Sequence, residues 1–325
     1  MYLGGVGPSI IISEWIQLGI AAAVVGLRAY TAGISSNRWR WDFVWMALAL
    51  VLAIANGVFN TIAAMHGLGN HVNHLNVPQI EDLLFWAFLG IYFGTLSIAC
   101  SKFSIIALLL QVQYRSQNQA RRYVLWFIAG MFSITSVLQI FLTIFQCQPN
   151  YRVWTELNYM SCSLVRYTRA MDYTHAVIGG LTDIFLAVFP ITFVWELQTS
   201  RKIKVGFCIL MGVGVVPGAI ALHRIQTLAA IYRGSDVTYT LGVFTLWGGI
   251  ELCSLIILGS VPLLRPLFKR GISKISTKSK TANGTVLLCK TEVHTKVEQL
   301  DDLETKDHNI AVLKVDVVGN SCHDN

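Results

Sequence analysis

Apolar segments alternate with short polar connections along most of the chain, up to about residue 268. Each segment has about 20 residues or more, enough for a helix to cross the roughly 30 Å hydrocarbon core of a bilayer. Strands of a membrane barrel would instead appear as runs of about ten residues with strict alternation. The pattern therefore predicts an all-α membrane protein with seven transmembrane helices, at residues 10–30, 43–65, 84–110, 123–145, 173–197, 205–231 and 241–268.

The overall composition is that of an integral membrane protein. Hydrophobic residues make up 54% of the chain and charged residues 13%, whereas soluble globular proteins have roughly 25% charged residues. The net charge of +7 lies in the connections and the tail, without a nucleic-acid-binding motif. We therefore expect the lipid bilayer as a partner, no nucleic acid, and a location in the plasma membrane or the endoplasmic reticulum.

Lysine and arginine indicate the orientation of the chain, because they concentrate in connections that face the cytoplasm. Most of them follow the odd-numbered helices, whereas Arg152, Arg166, Arg169 and Arg233 follow even-numbered ones. This bias predicts an outer N-terminus and a cytoplasmic C-terminus. Glu14 within the first span and the lack of a preceding basic region favour a retained first helix over a cleaved signal peptide. The basic residues on the cytoplasmic side are Arg38, Arg40, Arg115, Arg121, Arg122, Arg201, Lys202, Lys204, Lys269, Arg270 and Lys274.

The chain changes character after the last apolar segment. Ser, Thr, Lys, Asp and Asn dominate from residue 271 to residue 325. Such a composition cannot bury enough apolar surface to form a core. We therefore predict two parts, a seven-helix transmembrane domain at 1–270 and a polar, mostly disordered cytoplasmic tail at 271–325.

The loop between the fourth and fifth helices carries Cys147 and Cys162. In the predicted orientation this loop lies on the oxidising face of a secretory-pathway membrane, so a disulfide between them is expected. The alternative is two free thiols at the membrane rim. No cysteine and histidine spacing typical of a zinc site occurs, and the three histidines between residues 66 and 74 are better explained as a hydrated turn, so we expect no metal.

Four ionisable residues lie inside the predicted spans, where hydrocarbon cannot solvate them. They are Lys102, Asp183, Arg224 and Glu251. Two acids and two bases suggest pairing that locks the helices together. The alternative is a polar cavity in which Asp183 or Glu251 delivers a proton or a ligand binds.

Two neighbours make such a cavity chemically plausible, namely His223 beside Arg224 and Trp247 one turn before Glu251. Asp183 and Glu251 lie at similar depth, so either one of them is protonated or each has its own base. Retinal is not expected, because a Schiff base needs a lysine in the last helix. That span has none before Lys269 at its cytoplasmic end.

Short motifs follow one another in a fixed order along the apolar part of the chain. They are Arg28 and Tyr30 before Trp41 and Asp42, GLGNH at 67–71, KFSI at 102–105, CQP at 147–149, Asp183 with Pro190, Arg224, WGGIE at 247–251, and PLLRPL at 262–267. Taken in order, this set resembles the fungal rhodopsin-domain family of seven-helix membrane proteins, including its satratoxin-cluster type. The resemblance implies a seven-helix fold, a fungal source and an unsettled activity. One departure is a single acid, Asp42, where the family shows two adjacent acids.

The resemblance implies association with a secondary-metabolite pathway, as a receptor-like or accessory protein that binds a lipophilic small molecule. The connections contain no recognisable signalling motif, so a signalling partner is not identified. The alternative is a membrane-embedded acid-base enzyme, a cyclase or isomerase, in which Asp183 or Glu251 donates a proton. The sequence leaves open whether the protein is an enzyme.

Overall fold

The computed structural model describes residues 4–35, 41–113, 119–147, 162–189, 201–234 and 236–282. Within these ranges the protein is all-helical, and seven long helices follow the order of the seven predicted spans. A short 3-10 helix, Val72–His74, lies between the second and the third. The long helices are α1 (Gly7–Ser35), α2 (Trp41–Met65), α3 (Val77–Gln113), α4 (Gln119–Phe145), α5 (Val165–Val188), α6 (Arg201–Arg233) and α7 (Val237–Ala282).

The distribution of side chains is that of a protein in lipid. Large exposed side chains such as Trp15, Phe127 and Leu181 are apolar, whereas Glu14 and Lys102 are buried. This inverts the arrangement of a soluble protein and confirms the predicted all-α membrane class. Five described segments are long and apolar enough to cross a membrane: Gly7–Tyr30, Trp41–Met65, Val77–Gln111, Gln119–Phe145 and Val237–Ser260.

All seven helices begin earlier than hydropathy predicts, five of them by two to four residues and two of them by seven or eight. α3 starts at Val77 instead of residue 84, and α5 starts at Val165 instead of residue 173. Their first turns carry polar residues that an apolar window excludes. At α3, the Asn76 N–H donates to the side chain of Gln79 at 3.1 Å, which caps the helix start. The predicted end of the fifth span, residue 197, lies outside the described residues.

Glycines bring α5 and α6 into close contact. A Cβ added at Gly218 would lie 3.0 Å from the Gly180 carbonyl oxygen and 2.7 Å from Cγ1 of Ile184. Small residues permit this approach, and in lipid the resulting packing is a main source of helix association. The same contact holds α6 against α5 less than two turns before Arg224.

One end of the bundle, which we call the disulfide end, is closed by covalent and backbone links. Cys147 and Cys162 are joined by a disulfide there. The turn after α2 contains Gly67 at φ 113° and Gly69 at φ 92°, a backbone conformation that favours glycine. The Val6 N–H donates to the Gly69 carbonyl at 3.1 Å, so this turn holds the start of α1.

The same turn also holds the start of α7. The Thr238 hydroxyl donates to the Asn70 carbonyl at 2.7 Å, and Nδ1 of His71 lies 2.5 Å from Oδ2 of Asp236. Partial burial acts to raise the pKa of Asp236, but its hydrogen bonds with His71 and the Val72 N–H outweigh this effect and lower the pKa below its ordinary value. The histidine-rich turn is therefore a structural junction.

The chain divides into two units. The first is compact and ends at Ile275, and the second starts at Ser276. Of the second unit, the structure describes only helical residues up to Ala282. The division into 1–270 and 271–325, the disorder of the tail and the orientation across the membrane stay predictions.

The glycine turn gives a first testable prediction. Gly69→Ala should lower the melting temperature of the detergent-solubilised protein, because a Cβ there would lie 2.9 Å from the Gly7 nitrogen in addition to the backbone strain. Gly234→Ala is the matched control, since Gly234 has φ 73° but nothing within 4 Å of its Cβ position. We expect the control to lose about 1 to 2 kcal/mol from strain alone and Gly69→Ala to lose more. Equal shifts would contradict the proposed role of the turn.

Candidate functional site

Among the described residues, three ion pairs cross the interior of the bundle, and each joins two different helices. Nη2 of Arg28 in α1 lies 2.8 Å from Oδ2 of Asp42 in α2. The other two pairs involve all four ionisable residues singled out by the sequence. Nζ of Lys102 in α3 lies 2.9 Å from Oδ1 of Asp183 in α5, and Nη1 of Arg224 in α6 lies 2.6 Å from Oε2 of Glu251 in α7. Asp183 and Glu251 therefore each have their own base.

The Lys102–Asp183 pair is closed off from open space, since each side chain is only 1% exposed. The Lys102 ammonium also donates to the Gly179 carbonyl at 2.8 Å and lies 4.2 Å from the centre of the Phe132 ring. It thus connects α3 with α4 and α5. A substrate has no access to Asp183 in this arrangement, which fits a role in helix pairing.

The Arg224–Glu251 pair borders open space, because the Arg224 side chain is 17% exposed. Its guanidinium lies 4.4 Å from the centre of the Phe244 ring. A Cβ at Gly248 would approach Nη1 of Arg224 to 3.2 Å, so the glycine leaves room for the arginine. Arg224 lines two separate cavities, and this makes it the centre of the candidate site.

The first of these cavities, which we call the Asp172 cavity, has a volume of about 70 Å³ and is partly open. Side chains from α3 to α7 line it, and residues such as Gln146 and Leu241 place it toward the disulfide end. Phe88 and Phe244 supply aromatic walls. The volume suits a small polar head group or a few water molecules, since a drug-sized ligand needs roughly 300 Å³ or more.

Two acceptor atoms in the Asp172 cavity make no well-aligned hydrogen bond among the described residues, although the side chains of Asp172 and Gln139 lie within reach of each other. They are Oδ1 of Asp172 and Oε1 of Gln139, both buried. The other oxygen of Asp172 accepts a hydrogen bond from the Tyr232 hydroxyl at 2.6 Å. His175 also lines the cavity, and its Nε2 lies 3.1 Å from the Ser136 hydroxyl. Buried acceptors without donors are costly, so the cavity favours a guest that donates hydrogen bonds.

The second cavity, which we call the Asn56 cavity, has a volume of about 40 Å³. Glu14 of α1, only 5% exposed, does not line this cavity but contacts two residues that do. Oε1 of Glu14 accepts hydrogen bonds from the side-chain amides of Asn56 at 2.8 Å and Asn60 at 3.0 Å. Both asparagines line the cavity. Across the described ranges, no lysine or arginine forms an ion pair with Glu14.

Sequence reasoning missed Glu14 and Asp172 as site residues. In the sequence, Glu14 bears only on whether the first helix is retained, and Asp172 lies just before the predicted start of the fifth span. The available signal was the pair Asn56 and Asn60, two amides one helical turn apart inside an apolar segment. Two polar side chains at that spacing share a face and point to a buried polar partner.

The remaining predicted site residues lie elsewhere. The rings of His223 and Trp247 meet edge to face at 4.8 Å, and His223 is exposed on the outside of the bundle. Neither lines the Asp172 or Asn56 cavity. In the part of the chain that the structure describes, no group of three His, Cys, Asp or Glu side chains could hold a metal ion.

Comparison with known proteins gives a family and a curated relative. A family profile described as the fungal rhodopsin domain matches residues 27–270. A protein named SAT4 family membrane protein, from Emericella nidulans (strain FGSC A4 / ATCC 38163 / CBS 112.46 / NRRL 194 / M139), is 25% identical over 181 residues. The match covers 55% of this chain and 44% of the relative, so the chain spans less than half of that protein's length. No solved structure matches the chain.

The closed ion pair gives a second prediction. Lys102→Met should destabilise the protein by about 3 to 5 kcal/mol, because it leaves Asp183 buried without its base. The double variant Lys102→Met/Asp183→Asn should recover much of this loss, since it removes the uncompensated charge. Melting temperatures of the purified variants measure both effects.

Arg166→Met, which removes an exposed cation from α5, serves as the control and should change stability little. A double variant no more stable than Lys102→Met alone would argue against the pairing.

Proposed function

The chain belongs to the fungal rhodopsin-domain family, and we propose that it is a receptor-like binding protein that takes the polar head of a small lipophilic molecule into the Asp172 cavity. The observation that carries the proposal is the pair of buried acceptors, Oδ1 of Asp172 and Oε1 of Gln139, that make no well-aligned hydrogen bond among the described residues. A bound head group would supply the missing donors. The name of the relative from Emericella nidulans adds only that the relative is a membrane protein.

The chemistry of the lining defines the ligand. Asp172 and Gln139 present acceptors, so the head group carries hydroxyl or ammonium donors. An ammonium would meet the carboxylate of Asp172, which forms no ion pair among the described residues, although the Arg224 cation lines the same cavity. Phe88 and Phe244 would contact the apolar part of the molecule near the head. The bilayer concentrates such molecules and supplies them to a partly open cavity.

The acid-base enzyme remains the second candidate, but the geometry supports it less. The carboxylates of Asp183 and Glu251 are both held by bases at 2.9 and 2.6 Å, and neither residue lines the two cavities described above. A catalytic acid must reach the reacting atom directly or through one water molecule. Catalysis would therefore require an ion pair to open, whereas binding to the Asp172 cavity would not.

We further propose that the ligand is a secondary metabolite or a precursor of one, and that the protein resides in the plasma membrane or the endoplasmic reticulum. The support for this step is the family resemblance of the motifs, not the geometry of the cavity. Genes for synthases and oxygenases next to the gene of this protein would strengthen the proposal.

Binding to the Asp172 cavity is tested with three probes that share one tail and differ in the head group. Decylamine and decanol should raise the melting temperature of the protein in nanodiscs, whereas decanoate, whose head only accepts hydrogen bonds, should not. Asp172→Ala should weaken decylamine binding about tenfold or more, because a hydrogen bond to a charged group contributes about 1.5 to 3 kcal/mol.

Asp82→Asn is the matched control for loss of a carboxylate, since the Asp82 side chain is 61% exposed and lies outside the cavity. It should leave decylamine binding unchanged. Equal stabilisation by decylamine and decanoate, or equal weakening by both variants, would contradict binding at Asp172.

The catalytic alternative is tested in the source organism. Deletion of the gene should change the profile of secreted metabolites, whereas a strain with Glu251→Gln that accumulates the protein should keep the wild-type profile. The introduced amide retains an oxygen that accepts a hydrogen bond from Arg224, so the helix contact survives in part. Loss of a product and accumulation of its precursor in the Glu251→Gln strain would instead favour catalysis.

A further inference from the structure

We propose that Glu14, Asn56 and Asn60 form a binding site for a monovalent metal cation at the Asn56 cavity. The site is separate from the Asp172 cavity and does not rest on the proposed function. It joins α1 and α2 to the helices that line the cavity, α3, α6 and α7. The argument depends on charge, on the oxygen atoms available and on space.

The charge argument starts from Glu14. Its carboxylate is buried, and its two hydrogen-bond donors, the amides of Asn56 and Asn60, are neutral. An ionised carboxylate without a countercharge inside a bilayer costs several kcal/mol. A bound monovalent cation would remove this cost.

The other charged and titratable groups near the site do not supply that countercharge. Arg224 of α6 lines the same cavity, but Nη1 of Arg224 lies 2.6 Å from Oε2 of Glu251, so its charge is already matched. Cys253 of α7 also interacts electrostatically with Glu14 and is a free buried thiol. The described surroundings of the cavity thus hold one arginine and two glutamates.

The oxygen atoms form a suitable set of ligands. Asn60 is only 1% exposed, and its Oδ1 has no hydrogen-bond partner among the described residues. Glycines of α3 leave room for the amide oxygens. A Cβ at Gly90 would overlap Oδ1 of Asn60, and one at Gly94 would lie 3.1 Å from Oδ1 of Asn56.

Two hydroxyls complete the set. Thr95 and Thr245 line the cavity and donate to carbonyls of their own helices, at 2.9 Å in each case. Their oxygens therefore remain available as acceptors. Carboxylate, amide and hydroxyl oxygens are hard ligands, which suit alkali and alkaline-earth cations.

Charge and space favour a monovalent ion. Calcium takes six to eight oxygen ligands, usually with several carboxylates, whereas Glu14 is the only carboxylate that contacts Asn56 and Asn60 in the described residues. A volume of about 40 Å³ holds an ion with one or two water molecules. Sodium is the natural probe.

The test measures the melting temperature of the purified full-length protein in NaCl and in choline chloride at constant ionic strength. Sodium should raise the melting temperature in a saturable manner, by about 5 °C when its free concentration is about 100 times Kd. Glu14→Gln should abolish the difference between the salts, whereas Asp82→Asn, with its exposed side chain, should retain it. Equal melting temperatures of the wild-type protein in the two salts would overturn the proposal.

A second measurement covers the case in which Glu14→Gln does not fold. Equilibrium dialysis of the wild-type protein with radioactive sodium should show one saturable ion per chain, and absence of binding would overturn the proposal. Failure of decylamine binding would leave both sodium measurements unaffected. The two sites are therefore tested independently.

Discussion

Hydrocarbon cannot solvate a charge, and this constraint decides how the helices of this protein are arranged. Each interior ion pair joins two helices, α1 with α2 by Arg28–Asp42, α3 with α5 by Lys102–Asp183, and α6 with α7 by Arg224–Glu251. Sliding one helix by a single turn moves a side chain by about 5.4 Å, which would break the pair it makes. The pairs therefore fix helix registers that non-directional apolar packing would leave less well defined.

The same constraint explains where the cavities lie. In the described interior, acids outnumber bases, because Glu14 and Asp172 have no ion-pair partner there. Each of these two acids borders or adjoins a cavity that Arg224 also lines. The Arg28–Asp42 and Lys102–Asp183 pairs are packed tightly, whereas the two unmatched acids lie near cavities, as does the Arg224–Glu251 pair. A ligand that carries hydrogen-bond donors or a positive charge therefore gains most binding free energy beside an unmatched acid.

Hydropathy was enough to predict the seven helices but not all of their ends. The first turns of α3 and α5 carry polar side chains, so a search for apolar segments leaves them out. At α3, the hydrogen bond from the Asn76 N–H to the Gln79 side chain caps the helix at this polar start. The sequence also indicated that buried charges pair, but not with which partner. Lys102 and Asp183 are on helices that are not consecutive, and only the arrangement of the bundle brings them to 2.9 Å. Glu14 was overlooked because its partners are amides, which a search for opposite charges does not find.

Two consecutive glycines in α7 line the Asn56 cavity and leave room for side chains of α6 and α1. Gly248 leaves space for Nη1 of Arg224, and a Cβ at Gly249 would lie 3.8 Å from Oε1 of Glu14. Side chains from α6 and α1 thus approach neighbouring positions of one helix, one turn before Glu251. A cation beside Glu14 and an ammonium beside Asp172 would both add positive charge near Arg224. Two positive charges repel each other, and they do so more strongly inside a protein than in water. Occupation of one cavity would therefore weaken binding in the other, and because such coupling is reciprocal, the cation would oppose the lipophilic amine as strongly as the amine opposes the cation.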